Sequence, residues 1–336
     1  MLLSLSDRYF HNLPFLDDLQ PTPVFESYWR FAVERHSIYV KRSKGESPPW
    51  TDDPILRQYK FTDVFRACDR VSQYLIKEVI YKPGLPTEPE EIVFRILLFK
   101  LFNTIAAWEV LTKTFGTPTW AEFNQNAYAK ALGDAWNEGK GVSIWNPAYV
   151  QNQKYRTDLP TKHERYLALV KYMMDDQVAD RLQRPRTYEQ AFRLLQGYPL
   201  HGKSFLPMQH LTDINYSPVI NFDEDDYIVP GPGCLRGIQK CVGRPVSVDQ
   251  AQSVIYQMVD QQKLFFKKLG YEPVTLCGRR KLHAIDIQNL FCEIDKYARV
   301  AHPEYKVKEA ERIKQTFTLT GPLPAPFFPP KWRITL

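Results

Sequence analysis

Asp223, Glu224, Asp225 and Asp226 stand side by side in the segment 221–237, NFDEDDYIVPGPGCLRG. Adjacent acids repel, so at least one is expected either to take up a proton more readily or to be tied to a donor. A solvated turn or a cation site would carry the same residues, but Tyr227, Ile228 and Val229 follow at once and predict a partly buried turn. A carboxylate held in that way can stabilise positive charge developing on a sugar and orient an attacking water. A second acidic pair, Asp52 and Asp53, follows Trp50; its simpler role is a helix N-cap before Pro54 and Ile55.

Just upstream of the acidic turn, the segment 197–204, GYPLHGKS, lies between two apolar periodic stretches. A short glycine-containing turn between helices exposes backbone amides at a helix start, where a phosphate can sit. Gly202, Lys203 and Ser204 are therefore candidate DNA-backbone contacts, although an ordinary interhelical loop has the same spacing. Arg236, Lys41 and Arg42 are further candidates. Basic residues gather at Arg30, Arg35, His36, Lys41, Arg42 and Lys44, again at Arg279, Arg280 and Lys281, and again at Lys306, Lys308, Arg312 and Lys314. Each cluster alone reads as a solvated face; converging on one groove they would form a phosphate track.

The elements that must position these groups are helical. Apolar spacing of three and four predicts helices over 25–39, 61–81, 90–115, 161–180, 187–196, 247–270 and 286–300, with a shorter one after Thr119 and a possible start at Asn146. Ser247 with Gln250 forms a capping-box pattern. The segment 43–54 and the proline-rich tail 321–332 read as irregular, and a short β-hairpin is possible near 271–283. The expected fold class is all-α, in a single integrated unit. Its parts are an N-terminal arm and basic helix (1–60), a helical lobe (61–196), the hairpin and acidic turn (197–246), and C-terminal helices with the tail (247–336).

The chain has 336 residues, with 20 Phe, 19 Tyr and 7 Trp, enough to bury a substantial core. Its 44 Lys and Arg against 38 Asp and Glu leave a formal charge of +6, which permits a polyanionic partner without demanding one. The five cysteines include no CxxC pair, so neither a disulfide framework nor a zinc knuckle is expected. Cys234 and Cys241 are spaced like the first step of an iron–sulfur loop, but Arg244 stands at the next ligand position. No metal and no cofactor are expected. The first fifteen residues lack a signal-peptide pattern, and charges interrupt the apolar stretch 92–111. A cytoplasmic protein is expected, with no membrane and no protein partner.

A hairpin containing Gly202, followed by the Asp-Asp-Tyr-Ile run 225–228, resembles the helix-hairpin-helix base-excision glycosylases. In their alkyl-base members the second Asp of a similar run is catalytic. The resemblance implies a glycosylase-like all-α fold with two helical lobes around a DNA-binding cleft, and Asp226 in that role, with Asp225 and Asp223 as alternative registers. Where bifunctional members carry a Schiff-base lysine this chain has Ser204, beside Lys203, which implies a monofunctional enzyme.

A second resemblance runs nearly end to end. The strings PPWTDDPILRQYKFTDVFRACDR, FRILLFKLFN, WNPAYV, LTDINYSPVINF, GPGCLRG, QNLFCEIDKYARVAHPE and PPKW occur in order. They resemble the family of α-glutamyl/putrescinyl thymine pyrophosphorylases, also called the helical domain of 5-hydroxymethyluracil DNA kinases. The resemblance implies a role on double-stranded DNA carrying modified bases. Some kinase members have a nucleotide-binding domain as well, and kinase activity is not carried over.

A base inside a duplex must be extruded before its sugar bond can be reached. Trp50, Asp52, Trp145, Asn146, Tyr149 and Tyr216 are candidates to hold it, and His201, His210 or Arg236 to supply a proton or hydrogen bond. The expected activity is a DNA glycosylase that excises a hypermodified pyrimidine, such as a glucosylated hydroxymethyl base, from phage DNA in anti-phage defence. The alternatives are an amino acid:DNA transferase acting on phosphorylated hydroxymethyluracil and a non-catalytic modified-DNA-binding module.

Overall fold

A helix with apolar residues on nearly every side has to be buried, and 92–102 is such a helix despite Arg95 and Lys100. In the structure, a computed structural model, it forms the centre of one of two compact units. The structure describes residues 21–137, 143–146, 155–199, 205–306, 312–319 and 321–334. Among these there is no β-strand, only isolated bridges at Tyr59–Thr316 and Leu276–Arg280. The fold is all-α.

The first unit comprises Met1–Asp69, Tyr227–Pro326 and Ile334–Leu336. Its helices are α1 (Pro23–Ser43), α2 (Pro54–Gln58), and then, late in the chain, α11 (Pro232–Val242), α12 (Val248–Lys268) and α13 (Ala284–Ala301). Helix α1 turns Phe25, Tyr28, Trp29 and Ala32 into the core. Trp29 stacks on Phe265 of α12, and Tyr28 lies against Phe291 of α13. Helices α11 and α13 cross closely at Gly237, where an added Cβ would come 2.0 Å from the Phe291 carbonyl oxygen. A side chain there has no room, which is why the crossing requires glycine.

The second unit comprises Arg70–Asp226 and Phe327–Arg333. Its helices are α3 (Arg70–Tyr74, continuing as a π-helix over Leu75–Ile80), α4 (Pro89–Phe102), α5 (Ile105–Phe115), α6 (Gln125–Asn137), α7 (Lys162–Asp175), α8 (Val178–Leu182), α9 (Tyr188–Gln196) and α10 (Leu206–Ile214). Every residue of α4 from Glu91 to Phe102 is buried, including two cations. Arg95 donates from Nε and Nη2 to the carbonyls of Val79 and Pro86, and Lys100 forms a 2.9 Å ion pair with Asp213 of α10. No described helix is long and apolar enough to cross a membrane.

Several expected elements are corrected. The single helix expected over 90–115 is two, because Asn103 adopts the left-handed conformation (φ 49°) and caps α4. Gln177 (φ 54°) likewise divides 161–180. The helix expected after Thr119 does not form there: Glu91 accepts the amides of Trp120 and Ala121, and α6 begins later. The helix expected from Phe61 starts later as well. The Glu293 carboxylate takes the Thr62 amide, and Asp286 takes the Arg66 amide. The possible hairpin near 271–283 is a tight turn closed by the Leu276–Arg280 bridge, with Cys277 and Gly278 at positive φ. Helix α11 arises within a stretch that reads as irregular from its glycines and prolines; Pro232 occupies its first turn, where a missing N–H costs nothing.

Candidate functional site

The acidic turn is built by its own side chains. Asp223 accepts the Asp225 amide on its carboxylate (2.9 Å) and the Asp226 amide on its carbonyl (3.2 Å). Asn215 brackets the turn through both polar atoms of its amide, which exchange hydrogen bonds with the Phe222 backbone. Asp226 is tied to a donor: its carboxylate accepts the Tyr188 amide at 2.9 Å, at the start of α9. Thr187 caps the same helix through the Gln190 amide. The negative charge thus lies at the positive end of a helix, where it is favoured. Asp223 and Asp226 are exposed, and Glu224 and Asp225 are half-buried.

The candidate phosphate loop and part of the candidate pocket lie outside the described residues: His201, Gly202, Lys203, Ser204 and Tyr149. The string 197–204 also has the spacing G-x-x-x-x-G-K-S of a P-loop. A P-loop joins a strand to a helix. Gly197 instead closes helix α9, with right-handed dihedrals (φ −69°, ψ −16°), so the spacing alone carries no nucleotide site.

The remaining pocket candidates fall into two groups. In the second unit, Trp145 stacks on Phe102, packs edge-on to Tyr166, and has the Lys162 ammonium 4.5 Å from its ring centroid. Asn146 donates to the Asn103 carbonyl (3.1 Å). Tyr216 is only 2% exposed and packs edge-on to Trp332, so it is a core residue here. His210 is wholly buried.

In the first unit, Lys41, Arg42, Trp50 and Asp52 come together. Lys41 donates to the Trp50 carbonyl (2.8 Å), and the Arg42 guanidinium lies over the Trp50 ring at 5.2 Å. Asp52 is fully exposed and pairs with Arg57 (2.7 Å). Asp53 caps α2 through the amides of Ile55 and Leu56, and its second oxygen accepts the Tyr297 hydroxyl at 2.6 Å. Of these, Lys41, Asp52, Asp53, Ile55 and Tyr297 border a cavity of about 570 Å³, lined also by Arg30, Glu34, Ser37, Thr51 and Pro54. That volume lies within the roughly 300–1,000 Å³ usual for small-molecule sites.

The basic cluster of α1 is smaller than its sequence implies. Arg35 turns inward to Asp63 (2.6 Å) and the Phe61 carbonyl. Burial, with Arg35 beside it, pushes the His36 imidazole down to about 4, so it is neutral at pH 7. Arg30, Lys41, Arg42 and Lys44 remain. Arg236 is one-third exposed, and its Nε pairs with Asp295 (3.1 Å). Asp295 also meets Lys240 and Arg299; burial alone would push it upward, but these cations hold it below the ordinary carboxylate range.

Arg30, Glu34, Ser37 and Tyr297 were not anticipated as site residues. The first three and Lys41 recur at steps of four, three and four on α1, opposite its apolar face. That polar stripe was legible, but a polar stripe ordinarily faces only water.

The chain belongs to the family described as the helical domain of 5-hmdU DNA kinases, whose model matches residues 22–307. A protein of Bacillus phage SP10 described as a 5-hmdU DNA kinase is 25% identical over 296 residues, which make up 82% of this chain and 45% of that protein. The chain thus spans less than half the length of this relative. No solved structure is a significant match.

Proposed function

We propose that this chain acts on double-stranded DNA carrying a 5-substituted pyrimidine. The observation that carries this reading is family membership across residues 22–307, together with a relative named for a kinase of 5-hmdU DNA. In the first unit Arg30 and Lys41 line a cavity of ligand size together with Glu34, Asp52 and Asp53, which offers cations to a phosphate and hydrogen-bonding groups to an extruded base.

The finer proposal is hydrolysis of the N-glycosidic bond. Asp226 is an exposed carboxylate fixed by a helix amide, suited to face the sugar as positive charge develops and to orient water. Gly202, Lys203 and Ser204 would hold the adjoining phosphate, and Asp225 or Asp223 would serve in an alternative register. Excision of decorated bases that host DNA lacks would leave abasic sites in invading phage genomes. The relative's name favours a second reading, transfer of a group to or from the 5-substituent. There the carboxylates would act as general bases.

Mass spectrometry of nucleosides and free bases, after incubation with phage DNA rich in 5-hydroxymethyluracil or glucosylated hydroxymethylcytosine, separates these readings. Excision gives free modified base and alkali-labile sites. Transfer gives a nucleoside of increased mass when the group donor is supplied, with no strand weakness. If neither product forms and modified DNA is bound no better than unmodified DNA, the proposal fails.

A further inference from the structure

Asp295 is a single carboxylate facing three cations. Its Oδ1 pairs with Lys240 at 2.9 Å, and its Oδ2 takes Arg299 at 2.7 Å and the Nε of Arg236 at 3.1 Å. Arg236 and Lys240 stand one turn apart on α11, and Asp295 and Arg299 one turn apart on α13. The close crossing of these helices at Gly237 brings the four together within the first unit. Three positive charges thus meet one negative charge at a place where the Asp295 side chain is 1% exposed and that of Lys240 3%.

Two of the cations are built into the packing. Lys240 also donates to the Asp295 carbonyl (2.9 Å), and Arg299 to the Arg312 carbonyl (2.9 Å). Burial, joined by the two neighbouring guanidinium groups, pulls Lys240 below the ordinary lysine range although Asp295 acts the other way. Positive charge left over in so dry a place is unfavourable unless a further anion meets it. Arg236 is the cation that such an anion can reach, because one-third of its side chain is exposed. Its Nε is committed to Asp295, while Nη1 and Nη2 make no hydrogen bond among the described residues and neither is closed off from solvent. A guanidinium pinned at Nε presents those two nitrogens as a rigid fork, which suits two oxygens of one anion.

The helix adds to the same field. No side chain caps the N-terminus of α11 and no acidic residue stands in its first turn, so its positive end is uncompensated. Arg236 lies one turn further in. We infer that Arg236, oriented by Asp295, is a phosphate-binding fork on the first unit, with Lys240, Arg299 and the start of α11 supplying the surrounding positive potential. A phosphate fits better than a carboxylate, because it keeps oxygens for the helix end once the fork holds two. Asp295 is then a positioning residue. The phosphate belongs either to a DNA backbone or to a free phosphate compound, and only the first of these rests on the reading that the chain acts on DNA.

The test uses the full chain. Duplex binding is read by fluorescence anisotropy across a salt series, and binding of inorganic phosphate by isothermal titration calorimetry. For a backbone phosphate, Arg236→Ala should weaken duplex binding about tenfold at low salt, the scale of one hydrogen bond to a charged group, and reduce the slope of log affinity against log salt by about 0.9. For a free phosphate, that slope should stay and the heat of phosphate binding should vanish in the same variant. Arg236→Lys keeps the charge and loses the fork, so it should regain the slope without regaining wild-type affinity. Asp295→Asn separates orientation from charge: it makes the site more positive, so screening alone predicts tighter binding, whereas loss of orientation predicts weaker binding. Circular dichroism and melting confirm folding of each variant, and Arg236→Lys decides the point if Asp295→Asn does not fold. Arg236→Lys equal to wild type, or tighter binding by folded Asp295→Asn, overturns the oriented fork. An unchanged salt slope in Arg236→Ala, together with no Arg236-dependent binding of phosphate, overturns the inference and leaves the DNA reading standing. A wild type that binds no duplex removes the DNA reading instead, and the calorimetry then decides the inference by itself.

Discussion

The Asp226 carboxylate receives the Tyr188 backbone amide at 2.9 Å, and this bond ties the acidic turn to the first residue of α9. It links two segments far apart in sequence within one unit. It also fixes an exposed anion at a point where a helix presents positive potential.

Asp226→Asn should retain the amide contact and lose the charge. If Asp226 stabilises a sugar-centred cation, base release should fall by about 10²–10³-fold, the usual cost of removing one transition-state electrostatic group. DNA affinity should change little. Free modified base measured by mass spectrometry is the readout, with anisotropy for binding; turnover equal to wild type removes Asp226 from the role.

Lys41 touches the Trp50 carbonyl at the edge of the cavity and carries one of the four α1 charges that remain available outside the core. Lys41→Ala should weaken binding to modified and unmodified duplexes alike. The slope of log affinity against log salt should shrink by about 0.9, one phosphate contact. A salt titration giving an unaltered slope would take Lys41 out of the DNA interface.

His36 gives a pH dependence with a definite sign. Its value falls from 6.5 to about 4 on folding, because burial disfavours the cation. The unfolded chain therefore binds the proton more readily than the folded one. The contribution to stability is complete above pH 6.5 and is lost as pH drops from there toward 4, reaching on the order of 3 kcal/mol. His36→Phe, against Phe65 and Tyr39, should flatten that part of the stability profile. Urea denaturation of both proteins across this window checks it; parallel profiles would show that His36 is not the source.

The Lys100–Asp213 pair is almost dry, with side chains 5% and 1% exposed. Lys100→Met alone should cost about 3–5 kcal/mol by removing the ammonium from a buried carboxylate. The double change Lys100→Met with Asp213→Leu should recover most of that loss. Chemical denaturation of the two variants tests the pairing, and a double variant no better than the single would show that Asp213 has other indispensable work.

Where the chain is helical was largely written in its periodicity and caps. Ser247 and Gln250 form the anticipated capping box, and the part of the apolar run up to Phe102 is buried helix. The family was legible because its strings lie in order along the chain. Helix breaks and site geometry were not. Asn103 and Gln177 end helices by adopting a left-handed backbone, to which asparagine is locally disposed but glutamine is not. Glu91, Asp286 and Glu293 capture loop amides 29, 220 and 231 residues away in sequence. Periodicity reports only neighbours a turn apart, so no local pattern announces such bonds. The same holds for α1: its sequence determines that one face is apolar and the other polar, whereas packing decides that Arg35 spends its charge on Asp63 while Arg30, Glu34 and Ser37 are left facing a cavity. Local propensity acts through residues adjacent on the helix, but a site is made by desolvation and by partners brought from elsewhere, and both exist only once the chain has closed on itself.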